Sequence, residues 1–304
     1  MSCDSPRRRD GRVIHRYAVF GLTLASEMAL PDLRPGADDN ADPDLTIRLG
    51  SFDAEEQLAG YHMRDEGVLL VVPEVARFRI TGGRDMIVEP AAAAPMRDVR
   101  LFVLGSAMGV VLHQRGLLPL HANAVGIADG AVALLGHSGA GKSTLARWFH
   151  DAGHPVLSDD VCVVGQTGIV PPGIPRLRLW RDALESSGRA ADDYEQSYQR
   201  ADKFDVPLLG APPPPPMPLR AVYLLRRAET VAIAPLTGTR AVEALVANTY
   251  RGGFVRAAGL AAPHLAACMA VARRVPVFSF ERRWDARDFD ADAEALLAHA
   301  RALG

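Results

Sequence analysis

The sequence predicts an α/β protein in two parts: a smaller β-rich N-terminal domain, residues 1–110, and a mixed-sheet domain, residues 111–304, built around a phosphate-binding loop. Three observations predict this. Short runs rich in Val, Ile, Leu and Phe, bounded by Gly, Pro and Asp, crowd the N-terminal third. The stretch ALLGHSGAGKSTLARW, from Ala133 to Trp148, reads as an apolar strand, a glycine-rich loop and a helix start in that order. Beyond it, strand and helix patterns alternate to the C-terminus.

In the first domain, RYAVFGLTL, DLTIRLG, GVLLVVP, ARFRITGG and MIVEP are read as strands. Arg7 to Arg9 followed by Tyr17 to Ala25 mimics a signal peptide, but the apolar run is short and is followed by Glu27, so a strand pair is the better reading. A helix is expected from Val99 through Leu112, leading into the second domain. There, two apolar runs flank Asp129-Gly130, a type I′ hairpin signal. After the loop come a helix, the strand HPVLSDDVCVV, a Pro/Gly turn, RLRLWRDALES and a polar stretch from Ser186 to Asp205. Ala211 to Leu219, APPPPPMPL, has the composition of a polyproline II connector. Strands at RAVYLLRRA and VPVFSFER, helices near 240–250 and 259–273, and a last helix from Asp290 to Ala302 complete the chain.

With 304 residues the chain is long enough for about two domains at roughly 150 residues each. The 34 basic and 36 acidic residues leave no basic footprint, so no nucleic-acid partner is expected. No apolar run is long enough to cross a bilayer, and no membrane partner is expected. Cys3, Cys162 and Cys268 lack metal-ligand spacing and suggest no disulfide framework, which points to the cytoplasm. A homo-oligomer is compatible with all of this.

Gly136-His137-Ser138-Gly139-Ala140-Gly141-Lys142-Ser143, followed by Thr144, fits G-x-x-x-x-G-K-[ST] at every fixed position. Its backbone N–H groups and the following helix can hold phosphates, Lys142 can reach the β- and γ-phosphates, and the Ser143 hydroxyl can ligate Mg²⁺. ATP and Mg²⁺ are the implied cofactors. Asp159 and Asp160 stand 17 and 18 residues after Lys142, on or at the end of a strand. One carboxylate can face Mg²⁺ and its neighbour the incoming nucleophile. His121, 21 residues before Lys142, lies on the first arm of the hairpin.

Together His121, Lys142, Asp159 and Asp160 resemble the catalytic domain of HPr kinase/phosphorylase, in which a histidine, the phosphate loop and an Asp-Asp strand follow in this order. The resemblance implies an HPr-kinase-like fold and a serine kinase with Asp160 as general base. It further implies Asp159 on the metal or nucleophile, Lys142 stabilising the transferred group and His121 lining the reacting phosphate. Glu185 falls where it puts a second Mg²⁺ carboxylate; an exposed helix residue fits that position equally. Thr144 replaces the Glu usual after Lys-Ser, and the Gly-Arg-Asn segment is not found, which disfavours phosphorolysis and HPr as substrate.

The segments YAVFGLTLASEMALPDL, LHANAV, GHSGAGKSTLA and RLRLWRDAL look similar to the HPr-kinase-like proteins encoded with lasso-peptide genes. That likeness implies a kinase acting on a serine, the C-terminal one, of a ribosomal precursor peptide, with the N-terminal domain helping to hold it. Lys203 and Arg251, basic residues near turns, are the candidate contacts to peptide or phosphate. A regulatory HPr-type kinase and a nucleotide-binding sensor or scaffold stay open as alternatives.

Overall fold

The computed structural model describes residues 7–9, 12–36, 41–53, 58–181, 184, 194–198, 201–208, 210, 212–283 and 288–303. The chain forms two compact units, Met1–Leu117 with Gly253–Ala261, and Leu118–Gly252 with Ala262–Gly304.

In the first unit the alternating runs become a nine-stranded sheet. Its inner strands are Leu22–Ser26, Leu45–Leu49, Asp85–Pro90, Ala76–Thr81 and Gly67–Val72. Every second residue points inward, so Leu24, Leu45, Ile47, Phe78, Ile80, Met86 and Val88 form a core with almost no exposure. Arg12–Val19 and Leu22–Ser26 form the strand pair expected where a signal peptide was mimicked. Phe20 and Gly21 between them both have positive φ, as a type I′ turn requires. A helical stretch follows from Met96–Phe102 through a π-helical turn, Val103–Ala107, to Met108–Gln114. Its end is tied down by a bond from the Gly83 N–H to Gln114 Oε1 at 2.7 Å.

The second unit is centred on a seven-stranded mixed sheet. The hairpin Ala122–Ile127 and Gly130–Leu135 forms, with Val156–Ser158 on its outer side. On its inner side Met217–Arg227 runs parallel to Gly130–Leu135, and Val277–Arg282 parallel to Met217–Arg227. Both hairpin strands are buried on both faces, which explains why they are apolar without interruption. Val125, Ile127, Val132 and Leu134 pack with Leu145 and Phe149 of the helix Lys142–Asp151 and with Leu296 of the helix Phe289–Arg301. Ala122, Ala124, Ala133 and Leu135 pack with Leu245 of the helix Thr239–Ala247 and Val271 of the helix Ala261–Arg274.

Three local expectations are corrected. The hairpin turn is Ala128-Asp129 rather than Asp129-Gly130, and Ala128 has positive φ while Asp129 does not, so it is not type I′. Gly130 is needed for a different reason: a Cβ there would overlap the Arg220 side chain, whose guanidinium holds Asp129 at 2.8 Å. The strand expected through HPVLSDDVCVV breaks into Val156–Ser158 and Cys162–Val164, which belong to different sheets. The polar stretch ending at Asp205 contains the strands Glu195–Tyr198 and Ala201–Pro207, which pair with each other, and Ala201–Pro207 also pairs with Arg176–Trp180. A further strand, Ala232–Leu236, pairs with Val277–Arg282.

Candidate phosphate-transfer site

The site lies at one edge of the mixed sheet. Gly130–Leu135, Val156–Ser158 and Val277–Arg282 run in one direction, so the phosphate loop, the Asp pair and Arg282 all emerge there. This is the edge at which ligands of open α/β sheets bind.

The loop Gly136–Gly141 leads into the helix Lys142–Asp151, with Gly141 as its N-cap at φ 86. The first N–H groups of the helix, which have no partner within it, and its positive end therefore lie at the loop. His137, Ser138 and Gly139 are exposed, Ala140 is buried, and Thr144 is half-buried in the first turn. Lys142 is 7% exposed, and its Nζ donates to the carbonyls of Gly136 (2.6 Å) and His137 (3.1 Å). It also lies 3.3 Å from His121 Nε2. Burial pulls the Lys142 ammonium down to about 8, with the charge of Asp160 opposing that shift.

The two aspartates occupy contrasting surroundings. Asp159 turns under the loop: Oδ1 accepts from Ser143 Oγ at 2.9 Å and from Asn123 Nδ2, and Oδ2 accepts from the backbone N–H of Arg178. Among the described residues no cationic side chain forms an ion pair with it. Burial pushes Asp159 up to about 6, against the pull of the Arg178 N–H. Asp160, past the end of the strand Val156–Ser158, has a φ of 71 and meets other partners. Aspartate tolerates this left-handed conformation better than most residues. Its carboxylate meets His121 Nδ1 at 3.2 Å and Arg178 Nη1 at 3.3 Å. Burial pushes its pKa up, but the His121 hydrogen bond and the charges of Arg178, His121 and Lys203 outweigh this and hold it well below the carboxylate range. Nδ1 of His121 thus faces Asp160 while Nε2 faces the Lys142 ammonium.

Of the candidate substrate contacts, Lys203 Nζ lies 4.9 Å from the centre of the Trp180 ring, and its charge acts on both Lys142 and Asp160. Arg251 is exposed and stacks on Tyr250, with its guanidinium 5.0 Å from the ring centre. Tyr250 feels the charges of Asp160 and Arg178, so this segment borders the site. Glu185 lies outside the described residues. The structure thus brings together His121, Lys142, Ser143, Asp159, Asp160 and Lys203, with Arg251 at the margin.

Four residues at this edge were not singled out in the sequence. Asn123 lies on a strand two positions after His121; it donates to Asp159 and accepts from the Asp160 N–H at 3.4 Å, linking the pair. Its period-two spacing from His121 was the available signal. Arg178, alternating with buried Leu177 and Leu179 in RLRLW, also joins Asp160 to Asp205, at 3.0 Å. Asn248 Oδ1 accepts from the Gly136 N–H at 3.1 Å, and the Asn248 carbonyl from the His121 N–H at 2.7 Å. Arg282 packs against Gly141. No local pattern announces the last two.

Among the described residues, no group of three or more His, Cys, Asp or Glu side chains could hold a metal unaided. Ser143 and Asp159 nevertheless fit a magnesium ion that arrives with phosphates and water, since that ion takes one or two carboxylates and few other protein ligands. A buried carboxylate hydrogen-bonded to the loop's Ser143 and in no ion pair among the described residues is the matching donor.

The chain thus carries a strand, a glycine-rich loop and a helix, with a pair of carboxylates beside the loop. No protein-family model matches the chain, and no curated protein matches it. Among solved structures, the Hpr(Ser) kinase/phosphatase from Coxiella burnetii is similar over 60% of this chain and 90% of its own, at 16% identity and a TM-score of 0.36.

Proposed function

We propose that the protein is an ATP- and Mg²⁺-dependent kinase that transfers the γ-phosphoryl group to a serine hydroxyl, the C-terminal one, of a ribosomal precursor peptide. The observation that carries the kinase reading is the division of the Asp pair: Asp159 shares a hydrogen bond with the loop's Ser143, and Asp160 is held by His121 and Arg178. The peptide reading rests on the resemblance of the sequence segments.

Phosphates would lie on the loop N–H groups, with Lys142 released from the Gly136 and His137 carbonyls to meet them. Ser143 and Asp159 would hold Mg²⁺, which supplies neutralisation of phosphate charge. The serine oxygen attacks the γ-phosphorus, the bond to the β-γ bridging oxygen breaks, and ADP leaves with that electron pair. Asp160 accepts the hydroxyl's hydrogen bond and takes its proton late, after bonding to phosphorus has made it acidic; its low proton affinity suits positioning ahead of abstraction. His121 orients Asp160 through Nδ1 and contacts Lys142 through Nε2. Lys203 and Arg251 are assigned to the peptide carboxylate.

The test is mass spectrometry of a Ser-ending precursor peptide after incubation with the protein, ATP and Mg²⁺, beside the same peptide ending in Ala. A phosphoryl gain on the first alone supports the reading. ATP bound or consumed with no gain would replace it with a different acceptor or a nucleotide sensor.

A further inference from the structure

Arg282 ends the strand Val277–Arg282, and its side chain is 5% exposed. Its position is costly, because a buried guanidinium needs compensation for lost water. Little is provided: among the described residues, its one hydrogen bond runs from Nη1 to the Arg283 carbonyl at 3.1 Å. Nε is buried with no partner. The nearest carboxylate, Asp292, stands 3.9 Å from Nη1, and its Oδ2 is itself buried and without a hydrogen bond. The ring of Phe289 covers the guanidinium at 5.3 Å. On the other side Nη2 reaches the phosphate loop so closely that a Cβ on Gly141 would overlap it.

Gly141 is the N-cap of the ten-residue helix Lys142–Asp151. An undercompensated cation and the positive end of a helix thus meet at one point, an arrangement that an anion would stabilise. The sheet shows which part of a nucleotide that anion would be. The loop leaves the strand Gly130–Leu135; the Asp pair follows the strand two places to one side, and Arg282 ends the strand two places to the other. The transferred phosphate must face Asp160, so Arg282 stands on the side of the phosphates that are not transferred.

We infer that Arg282 is a second cationic ligand, beside Lys142, for the phosphates that remain with the nucleoside after transfer. This rests on the nucleotide reading above and assigns a residue that reading does not use. Lys142 would serve the transferred group, and Arg282 would hold the diphosphate and offset charge on the leaving oxygen. Gly141 has a matching role: its lack of a Cβ lets the guanidinium approach the loop.

The experiment titrates Mg²⁺ and ADP calorimetrically into wild-type protein, Arg282→Met and Arg282→Gln, and follows thermal unfolding of each without and with ADP. The expected result is a loss of ADP affinity of about tenfold or more in both variants, as for a charge-assisted contact to phosphate. The ADP-induced rise in unfolding temperature should shrink in both variants, each compared with its own temperature without ADP, which the loss of the charge beside Asp292 also affects. Wild-type ADP affinity in either folded variant overturns the inference and leaves the nucleotide reading intact. Loss of cooperative unfolding in both variants, without ADP, shows a structural role and also overturns it. Failure of the wild-type chain to bind ADP removes the nucleotide reading, and this inference with it.

Discussion

Asp159 and Asp160 are neighbours in sequence, yet the surroundings of one raise its proton affinity and those of the other lower it. Asp159 sits below the loop among neutral donors: a serine, an asparagine amide and a backbone N–H. Asp160 sits between an imidazole and a guanidinium. The chain leaves the strand just before them and Asp160 takes a positive φ, and the two consecutive side chains enter different neighbourhoods. Buried carboxylates with divergent proton affinities are a recurring sign of divided chemical roles. A hydrogen-bonded carboxylate in no ion pair suits a metal ion, and one already held by an arginine suits orienting a hydroxyl.

The largest expected effect comes from removing the brace. Arg178→Met takes the guanidinium from both Asp160 and Asp205, leaving Asp160 to His121 and Asp205 to Arg176. Each carboxylate keeps one partner and is partly exposed, so the loss is that of charge-assisted hydrogen bonds, about 1.5–3 kcal/mol. Urea unfolding should show a loss of that order at neutral pH and a smaller one in acid, where the carboxylates are protonated. A loss below about 1 kcal/mol would mean that Arg178 does not set the difference between the aspartates.

A smaller effect follows from pH. Asp159, raised to about 6, binds its proton more tightly in the folded chain, so its contribution to stability is full below its unfolded pKa near 4 and declines as pH rises to about 6. Asp160, lowered, acts in reverse: its contribution is present above pH 4 and is lost as pH falls towards its folded value. Stability measured against pH should therefore lose its decline between about 4 and 6 in Asp159→Asn, and lose its acid-side fall in Asp160→Asn. The same profile in both variants would erase the distinction between the two carboxylates.

What the sequence disclosed was whatever lay close together along the chain. The phosphate loop is readable because its strand, glycines and helix start are consecutive, and the first-unit strands because their apolar residues alternate. The Asp pair is readable as a pair, but not its division, because that depends on partners distant in sequence: His121 and Asn123, Ser143 of the helix, and Arg178. Asn248 and Arg282 approach the loop across 112 and 141 residues of sequence, and no local pattern predicts such approaches. Ala201–Pro207 escaped notice because its outward positions, Lys203 and Asp205, carry the charges that face the site, leaving only Phe204 and Val206 as apolar signal. The Ala128-Asp129 turn shows the reverse error: a common turn pair was present, but the strand register placed Gly130 inside the ladder.

The most direct measurement compares Mg²⁺-dependent nucleotide affinity and phosphoryl transfer, side by side, in Asp159→Asn and Asp160→Asn. The division of roles predicts that Asp160→Asn binds Mg²⁺ and nucleotide as the wild type does while transfer falls about 10²–10⁴-fold, the range for a lost general base. Asp159→Asn should lose the Mg²⁺-dependent part of nucleotide affinity. Wild-type transfer by Asp160→Asn, or the same pattern from both variants, would contradict it.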